Sequence, residues 1–306
     1  MKTINLGKTN INIPAISIGC MRLNSLDERG AADFINHAVS RGLNFFDHAD
    51  IYGDGQCEKL FSQALKNSGV KRESLFIESK CGIVPGVMYD LSYEHIIKSV
   101  DGILERLQTE YLDMLLLHRP DALVEPEEVA KAFDELQSNG KVRYFGVSNM
   151  NSGQIELLKK CVSQDIQANQ LQLSITNSQM IRNGLEVNMT TEGSLDRDGG
   201  ILNYCRLNDI TIQAWSPFQY GFFEGVFLNN DKFSKLNETI NSVAEKYSVS
   251  NTSVATAWIL RHPANIQMIS GTMNKSRLDD ICKGTDIELT REEWYKIYLA
   301  AGNMLP

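Results

Sequence analysis

Three successive apolar runs each deliver an acid–base side chain at their far end. Asn44-Phe45-Phe46 runs into Asp47-His48-Ala49-Asp50-Ile51-Tyr52-Gly53, Glu78-Ser79 into Lys80, and Leu115-Leu116-Leu117 into His118-Arg119-Pro120. Asp47, Tyr52, Lys80 and His118 form a chemically consistent set. A phenol with an unperturbed pKa near ~10 is a weak acid at neutral pH. A lysine cation beside it stabilises the phenolate and lowers that pKa. A carboxylate next to the lysine keeps it charged and in place, and a histidine can hydrogen-bond and orient a carbonyl oxygen. Together they make an acid suited to protonating an oxygen as it becomes an alkoxide. Taken singly, each has a structural reading: a buried Asp–Lys pair, a tyrosine anchoring a loop, a core histidine. Four at the ends of three consecutive runs point instead to one shared mouth.

Elements that would bring them together can be read along the chain. Strand candidates are Ala15–Gly19, Asn44–Asp47, Leu75–Ser79, Leu112–Leu117, Val142–Val147, Ile166–Gln170, Thr211–Trp215 and Ile266–Ser270. Helical patterns lie between them at Asp27–Ser40, Glu58–Lys66, Ser92–Leu107, Pro126–Ser138, Ser152–Lys160 and Val254–Arg261. Alternation of this kind makes an α/β fold with a parallel sheet. Eight units without a linker favour closure into a (β/α)8 TIM barrel over residues 1–306 as one domain, with an open doubly wound sheet as the alternative. The opening segment around Gly7 and Asn10 reads as an N-terminal β-hairpin that caps the barrel bottom. Residues 172–200 and 216–234 break the rhythm and follow strands, so they belong on the catalytic face. Met21, His48, residues 81–89, Arg119 and residues 216–228 are expected to line the mouth, with Phe222, Phe223 and Phe227 as an aromatic wall.

Composition excludes several classes. A net charge of −8 and a pI near 5.3 disfavour a polyphosphate partner, so no nucleic acid is expected. The six cysteines form no Cys-x-x-Cys pair and the five histidines show no metal spacing, so neither a disulfide framework nor a metal site is expected. The first residues have no apolar core of a signal peptide and no run is long enough to span a membrane, which makes the cytoplasm the expected location. Gly53-Asp54-Gly55 lacks the third glycine of a dinucleotide loop and follows the second strand candidate, and no Gly-x-Ser-x-Gly elbow occurs.

The segments FFDHADIYG, ESKCG, LLLHRPD, GVSN, ANQLQLS and WSPF occur in this order, and over essentially its whole length the chain resembles the aldo-keto reductases, in particular the bacterial branch with DHADIYG. That resemblance implies NADPH-dependent reduction of a small-molecule carbonyl, with Asp47, Tyr52, Lys80 and His118 as the catalytic four. It implies Ser148, Asn149 and Gln170 at the nicotinamide carboxamide, Trp215 stacked on the nicotinamide ring, and Ser216 and Phe218 in a loop over the pyrophosphate. It places Gly271 and Thr272 at phosphate and Arg277 at the adenosine 2′-phosphate, which favours NADPH and leaves NADH as the alternative. Members of this kind are often monomers, so a monomer is expected. The chain departs from many relatives at Gly271-Thr272, where they carry a lysine or serine pair, and at Asp280-Ile281, where they carry the Glu-Asn that contacts adenine. Two other functions compete: a nucleotide-binding sensing subunit with little turnover, and a Schiff-base lyase working through Lys80.

Overall fold

The computed structural model describes residues 1–305. An antiparallel hairpin, β1 (Thr3–Asn5) and β2 (Asn12–Pro14), precedes the first barrel strand β3 (Ile16–Gly19). Helix α1 (Glu28–Ser40), strand β4 (Phe45–Asp47), helix α2 (Gln56–Ser68) and strand β5 (Phe76–Cys81) follow. A short hairpin of β6 (Ile83–Val84) and β7 (Met88–Tyr89) rises from the end of β5 before α3 (Tyr93–Leu107). Next come β8 (Leu112–Leu117), α4 (Pro126–Ser138), β9 (Val142–Ser148), α5 (Ser152–Lys159) and β10 (Ile166–Gln172). Helices α6 (Gln179–Leu185) and α7 (Ile201–Leu207) lead to β11 (Thr211–Trp215), which is followed by a second short hairpin, β12 (Gln219–Tyr220) and β13 (Gly225–Val226). The chain ends with α8 (Ser234–Tyr247), α9 (Asn251–Leu260), β14 (Ile266–Ser270), α10 (Lys275–Lys283) and α11 (Arg291–Ala300).

Eight strands close in the order β3-β4-β5-β8-β9-β10-β11-β14 and back to β3, every pairing parallel. The expected strands all form, so the closed barrel replaces the open sheet. The helices form for local reasons. Asp27 accepts the N–H of Gly30 to start α1, and Ser92 accepts that of His95 to start α3. On α3, Ile96, Val100, Ile103, Leu104 and Leu107 recur at helical spacing and bury one stripe against the strands. Pro126 opens α4 with Glu127 and Glu128 in its first turn, and Asn139 with Gly140 at φ +70° ends it.

The hairpin does cap the bottom: Leu6 and Ile13 are buried with Phe45, Phe76, Met114, Leu116 and Ala168 in a separate small core. Expectation and structure part at several helices: α7, α10 and α11 lie outside the patterns read from the sequence. The stretch 172–200 contains α6, and α8 lies where no helix is expected, although Leu236, Ile240, Val243 and Ala244 give it a buried stripe. Helix α9 begins at Asn251, earlier than expected, because Ser250 caps it by accepting the N–H of Ser253. Among the described residues no helix is long and apolar enough to cross a membrane.

Candidate active site

Parallel strands in a closed barrel all end at one rim, so side chains at their C-terminal ends converge there. A cavity of roughly 570 Å³ occupies that rim, within the usual range for a small-molecule site. Asp47, Tyr52, His118, Gln170, Trp215, Ser216, Phe218, Gly271, Thr272 and Arg277 all line it. Lys80, wholly buried beneath, completes the set.

The Lys80 ammonium is the hub. It donates to the Asp47 carboxylate, to the carbonyl of His48 at 2.6 Å and to the Tyr52 hydroxyl at 3.2 Å. Lys80 can reach inward because, one residue before the end of β5, it has the same pleat orientation as Glu78 two residues earlier. Tyr52 is held by the turn after β4. Gly53 sits at φ +57°, and a Cβ there would come within 2.8 Å of Asn24 Nδ2, so only glycine lets the chain turn tightly behind the tyrosine. The Tyr52 ring meets His118 edge-on at 6.1 Å. His118 anchors its backbone N–H on the Cys81 carbonyl at 2.8 Å, while its buried Nδ1 finds no protein partner.

Electrostatics fix the protonation states. Burial pushes the Tyr52 phenol up to about 12, against the lowering effect of Lys80. This corrects the direction expected from the lysine alone: desolvation outweighs it, and the hydroxyl stays protonated at neutral pH. Burial works against the Lys80 cation too, but Asp47, Tyr52 and Glu78 together hold its pKa above the ordinary lysine value. Burial, then the Lys80 and Arg119 cations, hold His118 well below the usual histidine range, so its imidazole is neutral. A Schiff base needs an accessible neutral amine. Lys80 is 0% exposed and cationic, which sets the lyase reading aside.

Beneath the four lies a polar layer that the motifs did not reveal. Gln170 Nε2 donates to Asp47 at 3.0 Å and to Glu78 at 3.2 Å, and Gln213 Nε2 donates to Glu78 at 3.0 Å and Gln267 at 2.9 Å. Gln170 therefore braces Asp47 as well as lining the cavity. Burial and the nearby Asp47 carboxylate raise the Glu78 pKa well above the carboxylate range. Period-two spacing offered a signal: Glu78 shares its face with Lys80, and Gln213 with Trp215.

The other nominated residues fall on the opposite side. Ser148 and Asn149 stand behind the wall, joined to it in a chain: Asn149 Nδ2 donates to Ser148 Oγ at 2.8 Å, and Trp215 Nε1 donates to Asn149 Oδ1 at 3.1 Å. Asn149 and Ser216 both adopt left-handed backbone, at φ 56° and 51°, as the chain turns off strands β9 and β11. Trp215 stacks on Phe223 at 5.8 Å and meets Phe222 edge-on at 6.2 Å. Thr272 Oγ1 accepts the Asn274 N–H at 3.2 Å, and Asn274 in turn caps α10 by accepting the N–H of Arg277. Arg22, on the loop after β3, reaches across to the Gly271 carbonyl at 3.3 Å and was not foreseen. Its only signal in the sequence is an arginine just past the first barrel strand.

Several expected residues do not line the cavity: of residues 81–89 only Ile83 and Tyr89 do, Ser148 and Asn149 do not, and neither do His48 and Phe227. His48 is wholly buried, packed edge-on against Phe61 at 4.5 Å, with both ring nitrogens unpartnered; burial pulls its pKa down to about 3. It follows Asp47 in the chain and so faces outward where Asp47 faces inward. Phe227 is buried in the main core, leaving Phe222 and Phe223 as the aromatic wall.

Asp50 carries a pH consequence. Burial, with Glu58 nearby, pushes its carboxyl up to about 7 against the pull of Arg106, and one carboxylate oxygen has no partner. Unfolded, it would titrate near ~3.9. Between those values the folded chain binds a proton that the unfolded chain does not, so Asp50 lowers stability progressively as pH rises through this window. Asp50→Asn removes that loss. Its melting temperature relative to the parent is therefore expected to rise between pH 4 and pH 8, and an unchanged difference would show Asp50 ionised throughout.

The model of the Aldo/keto reductase family matches residues 15–299 of the chain. The oxidoreductase YcsN of Bacillus subtilis (strain 168) is 36% identical over 313 residues, covering 98% of each chain. A 6-dehydroglucose reductase of Novosphingobium aromaticivorans is 31% identical, covering 98% of this chain and 96% of its own. Among solved structures, the thermostable aldo-keto reductase Tm1743 in complex with the inhibitor epalrestat matches with a TM-score of 0.79 at 26% identity, over 98% of this chain and 100% of that one.

Proposed function

This chain belongs to the aldo/keto reductase family, and from that premise we propose that it reduces a small-molecule aldehyde or ketone to an alcohol with NADPH, Tyr52 supplying the proton. The observation that carries the reading is the line from Asp47 through the Lys80 ammonium to a protonated Tyr52 hydroxyl, opening beside a neutral His118 into an otherwise largely apolar cavity.

The residues present fit the cofactor. Trp215 offers an indole face to a planar ring, with Asn149 and Ser148 fixing its edge from behind, and Gln170 brings an amide suited to a carboxamide to the cavity wall. Gly271 leaves room that a side chain would take, since a Cβ there would stand 3.3 Å from Arg22 Nη1. Arg22, the Thr272 hydroxyl, Ser216 and Phe218 border the strip for the phosphates, and Arg277 waits at its end. Bound NADPH supplies the two electrons as hydride to the carbonyl carbon.

The chain's own residues do the rest. Neutral His118 and the Tyr52 hydroxyl orient the carbonyl oxygen, and Tyr52 gives up its proton as that oxygen gains charge. Lys80, fixed by Asp47, stabilises the phenolate left behind. Trp215, Phe222 and Phe223 pack on one another as an aromatic edge to the mouth.

NADPH oxidation with a reactive aromatic aldehyde tests the reading, with NADH run in parallel. Turnover is expected, faster with NADPH. Arg277→Ala is expected to raise the KM for NADPH by about 10- to 100-fold, the usual worth of a charge-assisted contact to phosphate, and to move the KM for NADH far less. Equal use of both cofactors, unaltered in the variant, would remove Arg277 from the site. Tight nucleotide binding without turnover on any carbonyl would turn the reading to a sensing role.

A further inference from the structure

Three arginines line the cavity, Arg22, Arg119 and Arg277, and among the described residues none of them is in an ion pair. Six other arginines, Arg41, Arg72, Arg106, Arg143, Arg182 and Arg197, find carboxylates, and Arg29, Arg206, Arg261 and Arg291 do not among the described residues; what distinguishes the cavity three is that they gather at one rim in a chain with 38 acidic against 30 basic residues. Asp47 is the one carboxylate lining the cavity, and Lys80 neutralises it. The mouth is therefore an electropositive pit in an acidic molecule.

Topology divides the three. Arg22 bonds the Gly271 carbonyl just past β14, and Arg277 lies on α10, which follows β14. Both belong to the strip assigned above to the cofactor phosphates. Arg119 follows His118 at the end of β8, and β8 is diametrically opposite β14 in the eight-strand ring. Of the residues that handle the carbonyl, Lys80 on β5 and His118 after β8 lie on the Arg119 side, and Tyr52, after β4, lies midway between Arg119 and the cofactor strip. Arg119 makes no hydrogen bond to any described residue, and its cation is near enough to His118 to help keep that imidazole neutral. Met21, Ile51, Ile83 and Tyr89 add apolar surface to the same cavity.

We propose that Arg119 binds an anionic group on the substrate, so that the preferred substrates are aldehydes or ketones carrying a carboxylate on an apolar body. The inference rests on the reductase reading and adds the substrate class to it. A guanidinium presents two parallel N–H donors matched to a carboxylate. In a cavity with apolar surface, that pair is screened less than one in open water. The carbonyl end meets Tyr52 and His118 while the anionic end meets Arg119, so the two contacts together fix which way the substrate lies.

The test compares 4-carboxybenzaldehyde with its methyl ester, which differ chiefly in the charge. The unaltered protein is expected to favour the acid over the ester in kcat/KM by about tenfold or more, the usual worth of a charge-assisted bidentate contact. That preference should shrink with added salt. In Arg119→Met the ratio of acid to ester should fall to about unity, and in Arg119→Lys part of it should return because the charge is kept. Equal use of acid and ester by the unaltered protein, or a preference that survives Arg119→Met, overturns the proposal. Calorimetric binding of 4-(hydroxymethyl)benzoate to the NADP⁺-loaded protein separates this failure from failure of the reductase reading. Binding lost in Arg119→Met without turnover of either aldehyde would keep the anion site and remove the reductase. Binding indifferent to Arg119 would remove the anion site.

Discussion

Tyr52→Phe is expected to lower the turnover of carbonyl reduction by about 10²- to 10⁴-fold, the range for loss of a positioned general acid. The substitution takes away one oxygen and little else. The ring keeps its place over the Lys80 ammonium, 4.9 Å from its centroid, and edge-on to His118. Nucleotide binding should therefore persist, and stability should change by about 1 kcal/mol or less, the net worth of one hydrogen bond. The pH profile gives an independent reading of the same group. With the phenol held near 12, mainly by burial, Tyr52 stays protonated across the working range, so it adds no falling limb to the reduction rate near neutrality. Alcohol oxidation needs the phenolate, and its rate should climb about tenfold per pH unit well below that pKa. Steady-state rates in both directions, in the parent and the variant, check this. A variant within tenfold of the parent, at matched cofactor occupancy, would take the proton away from Tyr52.

The depth to which the sequence revealed this site follows from how each part is encoded. Strands β4, β5 and β8 are short apolar runs, and Asp47, Lys80 and His118 interrupt or end them with charge, so both the barrel and the converging side chains stood out. What escaped notice has a different origin. Glu78, Gln213 and Gln267 are polar residues inside strands, where no motif marks them; Glu78 meets Gln213 across the barrel axis, and Gln213 meets Gln267 on the neighbouring strand, all from strands far apart in the chain. His48 misled for a related reason. It sits among site residues in the DHADIYG segment, but strand alternation turns it outward into the core beside Phe61. The net shift of Tyr52 also depends on burial, which no local pattern of residues states, and burial outweighed the lysine that the pattern did show. Arg22 and Arg119 were visible as residues; only closure of the barrel puts one beside the Gly271 strip and the other opposite it.

Lys80→Met should damage stability and catalysis together, which separates it from Tyr52→Phe. The ammonium is 0% exposed and compensates Asp47, itself only 2% exposed. Removing one member of a buried ion pair leaves the other charged and unpaired, at a cost of about 3–5 kcal/mol, and a methionine stem of similar length cannot repair that. The same loss withdraws the cation that lowers the Tyr52 pKa, so the phenol becomes a still weaker acid and turnover should fall by about 10²-fold or more. Glu78→Gln makes the decisive comparison. Burial and Asp47 push the Glu78 pKa up and so favour its neutral form, and an amide of the same shape tests whether a charge at that position matters. The amide oxygen can still accept from Gln170 or Gln213. That variant should therefore unfold within about 1 kcal/mol of the parent in urea and retain most of its activity. If Lys80→Met were as stable and active as the parent, the buried line from Asp47 to Tyr52 would be structural filling. If Glu78→Gln fell as far as Lys80→Met, the charge that balances Lys80 would be shared between Asp47 and Glu78, and the acid would be tuned by the whole layer beneath it.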